Sequence, residues 1–309
     1  MNSMFLKIEC EKCEMSETGD SGLAMKLLKM VQAHADAAWQ VVWNKRTGKI
    51  VTASIDNTVK IFNDQATLLQ TVQTGHALGI VSLDAGLFAA TCSLDSQIKI
   101  WDTMWSCVRT VDLGPVEAWR VCITDKQVIA CGSHAGTIHI VPPSGPSLLL
   151  ETRAGFVQGL CWAGNVIACG TEQGAVFCFD ATTAKMLFSA TPHAGPVRCV
   201  AVSPDGKLLI SGSDDFKICV FDLVHQTLLA TLQAHNSWVL DVQFSQDGLK
   251  FASCGADKKV RIWSAVTRTL LHVFDDHTDQ VWSISWSPDS CRLASVGDDM
   301  MLAIYDVEC

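Results

Sequence analysis

Residues 209–222 read LISGSDDFKICVFD, and residues 227–235 read TLLATLQAH. The first stretch is an apolar run, a polar turn, then an alternating run that ends on an aromatic residue. That is the pattern of a β-hairpin. The same shape recurs at VTASIDNTVKIF (51–62), ATCSLDSQIKIWD (90–102), ACGSHAGTIHIV (130–141), FASCGADKKVRIW (251–263) and LASVGDDMMLAIYD (293–306), and more weakly at ACGTEQGAVFCFD (168–180). A second landmark, usually His, precedes each copy: His34, His76, Gly114, Arg153, His193, His235 and His277, with spacings of 38 to 42 residues. A fixed period near 40 marks a repeat architecture, so a chain of 309 residues need not be divided into several domains.

Four short strands fit in one such period. Together with Trp101-Asp102 the pattern resembles the WD-repeat β-propellers. The expected fold is all-β, a seven-bladed WD-repeat propeller spanning 25–309. Only four residues follow Tyr305, so the last blade has no outer strand of its own, while KLLKMVQAH (26–34) matches TLLATLQAH (227–235). The N-terminal strand should therefore complete the last blade and remove an open sheet edge. Residues 1–24 are expected to form a flexible tail.

The repeats allow an internal check. In this type of repeat the landmark His can bond an Asp in the turn after the second strand, and a Ser or Thr four residues before that Asp joins them. Five blades carry the whole set: His34, Thr52 and Asp56; His76, Thr91 and Asp95; His193, Ser211 and Asp215; His235, Ser253 and Asp257; His277, Ser295 and Asp299. Blades three and four lose all three members at once (Gly114, Cys131, Ala135; Arg153, Cys169, Gln173). Stripping one partner from a buried polar set costs roughly 1–3 kcal/mol, whereas removing the set together is nearly neutral. Five copies of a catalytic triad in one chain would have no use. The sets are read as turn pins, with no catalytic residue.

Composition agrees. Hydrophobic residues make up 49% and charged residues 18%, which fits a packed domain. The net charge of −9 argues against a nucleic-acid groove, because phosphate binding needs clustered Lys and Arg. No apolar run is long enough for a membrane span, and the first twenty residues lack a signal-peptide core. The 14 Cys include Cys131, Cys169, Cys199 and Cys219 within apolar runs, read as small buried hydrophobes of a reducing compartment. Cys10 and Cys13 have a metal-like spacing but no second pair of ligands, so no metal and no cofactor is expected. No phosphate loop or hydrolase motif is present, and the chain reads as a non-enzyme.

The candidate working surface is the rim of the central channel. Five residues past the landmark stand Trp39, Trp119, Arg198 and Trp282; three past it stand Phe156 and Trp238. With Ile55 and Met300 nearby, these are the expected partner-binding residues. Trp39, Trp238 and Trp282 share one sector, Trp119 extends it across the channel, and Asp214 and Asp298 serve as polar rim. Trp is enriched in binding hot spots. Trp43, Trp162 and Trp286 are assigned to packing.

The stretches AHADAAWQVVW (33–43), DLGPVEAWRV (112–121), ETRAGFVQGL (151–160), HNSWVLDV (235–242) and FDDHTDQVWSISWSPDSCRLASVGDD (274–299) closely resemble one subgroup, the WD-repeat subunits of the superkiller (Ski) complex. Their animal form is shared with the polymerase-associated-factor transcription elongation complex. This resemblance covers roughly residues 25–309. It implies a protein–protein interaction scaffold that binds a helical-repeat scaffold subunit and helps assemble a helicase complex feeding mRNA to the exosome in mRNA decay. It implies a cytoplasmic location, with the nucleus as a second option. The family's partner-binding face carries the Trp residues matched at Trp39, Trp119, Trp238 and Trp282. PPSGPSLLL (142–150) departs from the pattern and puts the outer edge of blade three in doubt. The alternative reading is a WD-repeat adaptor of another kind, such as a ubiquitin-ligase substrate receptor or a signalling scaffold.

Overall fold

The computed structural model describes residues 25–114 and 118–308. The expected tail, Cys10 and Cys13 lie outside the described residues. Seven four-stranded antiparallel sheets follow one another along the chain. Blades 1 to 6 span residues 38–73, 80–112, 121–151, 157–190, 197–233 and 239–274. Blade 7 takes three strands from 281–306 and its outermost strand from Lys26–Gln32. That strand runs antiparallel to Met301–Asp306, from the Lys26 and Asp306 pair to the Gln32 and Met301 pair.

Burial rises from the rim inward and explains the sequence patterns. Outer strands such as Leu68–Gln73 are mostly exposed, while second strands such as Ile50–Ser54 and Ala89–Ser93 are buried on both faces. A strand covered on both sides reads as a short continuous apolar run, and the second strands do. There is no single core. Seven apolar clusters form, one between each pair of neighbouring blades. The third-strand residues Phe62, Trp101, Val141, Phe179, Phe221, Trp263 and Tyr305 are all buried in them. Cys131, Cys169, Cys199 and Cys219 are free and buried in the same layers. Cys291 is disulfide-bonded, so the reading of reduced cysteines does not extend to it.

The outer edge of blade 3 does form. Leu148–Glu151 pairs with Thr137–Val141, after an exposed turn through Pro142–Ser147. Blade 3 is nonetheless the slightest, with an inner strand of only three residues, Val121–Ile123.

In the five blades that carry the full set, the landmark His is buried and bonded at both ring nitrogens. Nδ1 donates to the Asp at 3.0 Å (His34–Asp56), 3.1 Å (His76–Asp95), 3.0 Å (His193–Asp215), 2.8 Å (His235–Asp257) and 2.8 Å (His277–Asp299). Nε2 accepts from Thr52, Thr91, Ser211, Ser253 and Ser295 at 2.7–2.9 Å. The indoles of Trp101 and Trp263 in turn donate to Thr91 and Ser253 at 3.0 and 2.9 Å. Each Asp also accepts the amide that follows the His and the amide two residues after itself; for Asp215 these are Ala194 and Lys217. One carboxylate therefore ties the loop entering a blade to the turn between its second and third strands.

The residue after the Asp position has positive φ in all seven blades. Where the Asp is present it is Asn57, Ser96, Phe216, Lys258 or Met300; where it is absent it is Gly136 or Gly174. A left-handed non-glycine residue costs about 1–2 kcal/mol, and the amides gathered by the Asp hold the turn against that cost. Blades 3 and 4 lack the carboxylate and use glycine, which carries no such penalty. At Gly174 a Cβ would also stand 2.3 Å from the His193 carbonyl oxygen.

Burial pushes the imidazoles of His76, His193 and His235 below the ordinary value of 6.5, although their Asp partners pull the other way. Burial alone would raise Asp215, but His193 and the Ala194 and Lys217 amides hold it below the usual carboxylate range. Asp215→Ala should lower the thermal unfolding midpoint, with a loss of about 1–3 kcal/mol. His193→Ala combined with Asp215→Ala should cost less than the sum of the two alone. In an NMR titration, His193 should ionise below 6.5, and lower still in Asp215→Ala, because the carboxylate that favours its protonation has gone. A His193 midpoint at or above the ordinary value would contradict the pinned, neutral ring.

Candidate protein-docking face

The inner strands place one residue of each blade at the mouth of the channel. In blades 1, 2, 4, 5, 6 and 7 the ladder slips at that residue, and a bulge falls on Trp39, Val81, Gln158, Arg198, Leu240 and Trp282. A bulge adds one unpaired residue and re-aims its side chain. In blade 3 the corresponding Trp119 precedes the inner strand, held by a 3.3 Å hydrogen bond from its amide to the Gly132 carbonyl.

Three of these side chains, joined by Phe156, make a continuous aromatic arc. The ring centroids of Trp282 and Trp39 lie 5.0 Å apart, those of Trp39 and Trp119 6.1 Å, and Trp119 meets Phe156 edge-on at 5.7 Å. His134 extends the arc, stacked on Phe156 at 4.9 Å. Offset and edge contacts of this kind are worth about 0.5–1.5 kcal/mol each. Trp39, Trp119, Phe156 and Trp282 are half-buried. They support one another while leaving one side open.

The polar rim is committed internally. Trp282 Nε1 donates to Asp298 at 2.7 Å. Burial raises the Asp298 carboxyl, the indoles of Trp282 and Trp39 oppose that rise, and Asp279 and Asp299 reinforce it. Arg198 forms two hydrogen bonds to Asp214, at 2.5 and 2.9 Å, and lies over the Trp238 ring at 4.9 Å. Trp238 is 43% exposed, the most open indole of the group.

The sequence reading thus divides. Trp39, Trp119, Trp282 and Phe156 come together. Trp238, grouped in the sequence reading with Trp282 and Trp39, has Arg198 of blade 5 over its ring; the bidentate clasp on Asp214 aims the guanidinium at its face. Ile55 and Met300 are each half-buried, and Ile55 packs against Gly79, whose Cβ would lie 3.0 Å away. His134 was missed. It stands one residue before the absent Asp of blade 3, and only the approach of Phe156 from blade 4 gives it a role.

The Ser–His–Asp sets have the connectivity of a hydrolytic triad, but Thr52, Thr91, Ser211, Ser253 and Ser295 are wholly buried and no substrate can reach their hydroxyls. Among the described residues no three His, Cys, Asp or Glu side chains gather as metal ligands, and no helix is long and apolar enough to cross a membrane. Below the arc the channel opens into a cavity of about 620 Å³, lined with mixed charge by Lys45, Asp84, Arg120 and Asp241.

Comparison with known proteins matches residues 25–63 and 67–102 to the WD domain, G-beta repeat, and residues 148–294 to the Vps8 beta-propeller. The WD repeat-containing protein SL1-17 of Schistosoma mansoni is 35% identical over 58% of this chain and 64% of its own length. The WD repeat-containing protein VIP3 of Arabidopsis thaliana is 33% identical over 60% of this chain and 68% of its own. The meiotic recombination protein rec14 of Schizosaccharomyces pombe is 30% identical over 59% and 65%. The chain spans about two thirds of the length of these relatives. Seven four-stranded blades, five of them pinned, the repeat matches and the kinship with VIP3 lead to one conclusion: this chain belongs to the WD-repeat proteins.

Proposed function

We propose that the chain is a non-catalytic adaptor whose aromatic mouth docks a protein partner, and that it serves as the WD-repeat subunit of a Ski-type mRNA-decay complex. The observation that carries the docking reading is the arc Trp282–Trp39–Trp119–Phe156. Four aromatic side chains at a channel mouth, half-buried and braced from beneath, have the composition of an interface hot spot. The finer assignment rests on the resemblance of stretches 112–121 and 274–299, and brings with it the helical-repeat scaffold subunit and the helicase as partners. Cytoplasmic mRNA decay rests on that resemblance alone. A nuclear role draws further support from the kinship with a protein named for meiotic recombination.

Affinity purification of the full chain with mass spectrometry tests the assignment. A helical-repeat protein recovered with a helicase supports it; a cullin-type ligase in their place sinks it and favours the substrate-receptor alternative. Trp282→Ala should weaken partner capture by about 2 kcal/mol or more with little change in the unfolding midpoint. Unfolding of that variant would make Trp282 a packing residue instead.

A further inference from the structure

The residues immediately behind the mouth indoles are linked to one another across the channel. Gln40 follows Trp39, Arg120 follows Trp119 and Ser283 follows Trp282. The Arg120 guanidinium donates to the Gln40 side-chain carbonyl. Gln40 Nε2 donates to Ser283 Oγ at 3.0 Å, and Ser283 Oγ donates to Asp241 Oδ2 at 3.0 Å. Ser283 also accepts the Val41 amide at 3.3 Å, and Asp241 the Ile284 amide at 3.1 Å. Gln40, Ser283 and Asp241 are at least nine-tenths buried. One chain of side chains thus runs from blade 3 through blades 1 and 7 to blade 6, directly beneath the indoles.

Blade 3 needs such a link more than any other. It lacks the His–Asp pin, its inner strand is three residues long, and Trp119 and Arg120 lie outside that strand. Trp39 and Trp282, by contrast, lie inside six-residue inner strands, Ala38–Trp43 and Val281–Trp286, with paired residues on both sides of each bulge. The arm that carries Trp119 to Trp39 passes blade 2, whose mouth residue is Val81 and offers no ring. We infer that Arg120, Gln40, Ser283 and Asp241 form a positioning network for the docking face, with the Arg120–Gln40 link holding Trp119 in register with Trp39 and Trp282. The inference rests on the docking reading for its purpose, but its physical content is the placement of the rings.

The exciton signal of coupled indoles in circular dichroism reads that placement without any partner. Trp39→Phe identifies the share of the signal that the cluster supplies. Gln40→Leu, made in the full chain, should lose that share, because it removes both the acceptor for Arg120 and the donor to Ser283. Gln40→Glu keeps the acceptor and should restore the coupling between Trp39 and Trp119. Ser285→Ala is the control: it deletes a 2.8 Å bond to the Trp43 amide at the same junction of blades 7 and 1, but at a level away from the mouth indoles. It should leave the signal intact. Should Gln40→Leu fail to fold, Arg120→Lys replaces it, keeping a cation opposite Asp241 while shortening the reach to Gln40. An unchanged signal in the folded Gln40→Leu or Arg120→Lys protein, or an equal loss in Ser285→Ala, overturns the network. Affinity for the partner recovered with the parent chain is measured in parallel and should fall about tenfold with the signal. Loss of the signal at undiminished affinity supports the positioning and removes the docking reading instead.

Discussion

Everything in this molecule depends on the antiparallel ladder between Lys26–Gln32 and Met301–Asp306. The apolar clusters lie between blades, never within one, so each blade needs a neighbour on both sides to bury its faces. An open series of blades would leave two apolar faces and a row of unpaired strand groups in water. Closure removes both liabilities at once. The cluster between blades 7 and 1 holds Val296, Leu302 and Ile304 against Val41, Trp43 and Ile50, and is built like the others. The two ends of the chain supply one sheet.

Within the closed ring the blades are held in two ways. Five have a buried His shared between a carboxylate and a hydroxyl, and their turns tolerate bulky left-handed residues such as Phe216 and Met300. Two have no pin, and at the same turn use Gly136 and Gly174. The two solutions are each self-consistent. A carboxylate without its His, or a left-handed Phe without its carboxylate, would not be. The unpinned blades are also those that bring Trp119, His134 and Phe156 to the arc, and Arg120 of blade 3 bonds there to Gln40 of blade 1.

Much of this was legible beforehand. The period from His34 to His277, the orphan match at 26–34 and the joint loss of three residue types in blades 3 and 4 all follow from local pattern and simple pairing rules. So did the indoles at Trp39, Trp119 and Trp282, because the repeats register against one another. The side chains that meet Trp238 and His134 were not legible there. Both depend on contacts between blades, Trp238 with Arg198 and His134 with Phe156, and repeat register says where a residue sits in its own blade, not which neighbour reaches over it.

The amino-acid sequence alone therefore determined the number of blades, the strand that seals them and the residues that pin their turns, since these obey periods and spacings that a single chain displays. Tertiary structure alone decided the bulges that aim the mouth residues, the order in which the rings touch, and the buried run from Arg120 to Asp241. Those features arise where inner strands of different blades converge on one axis, and residues that meet there are separated by up to 243 positions in the chain.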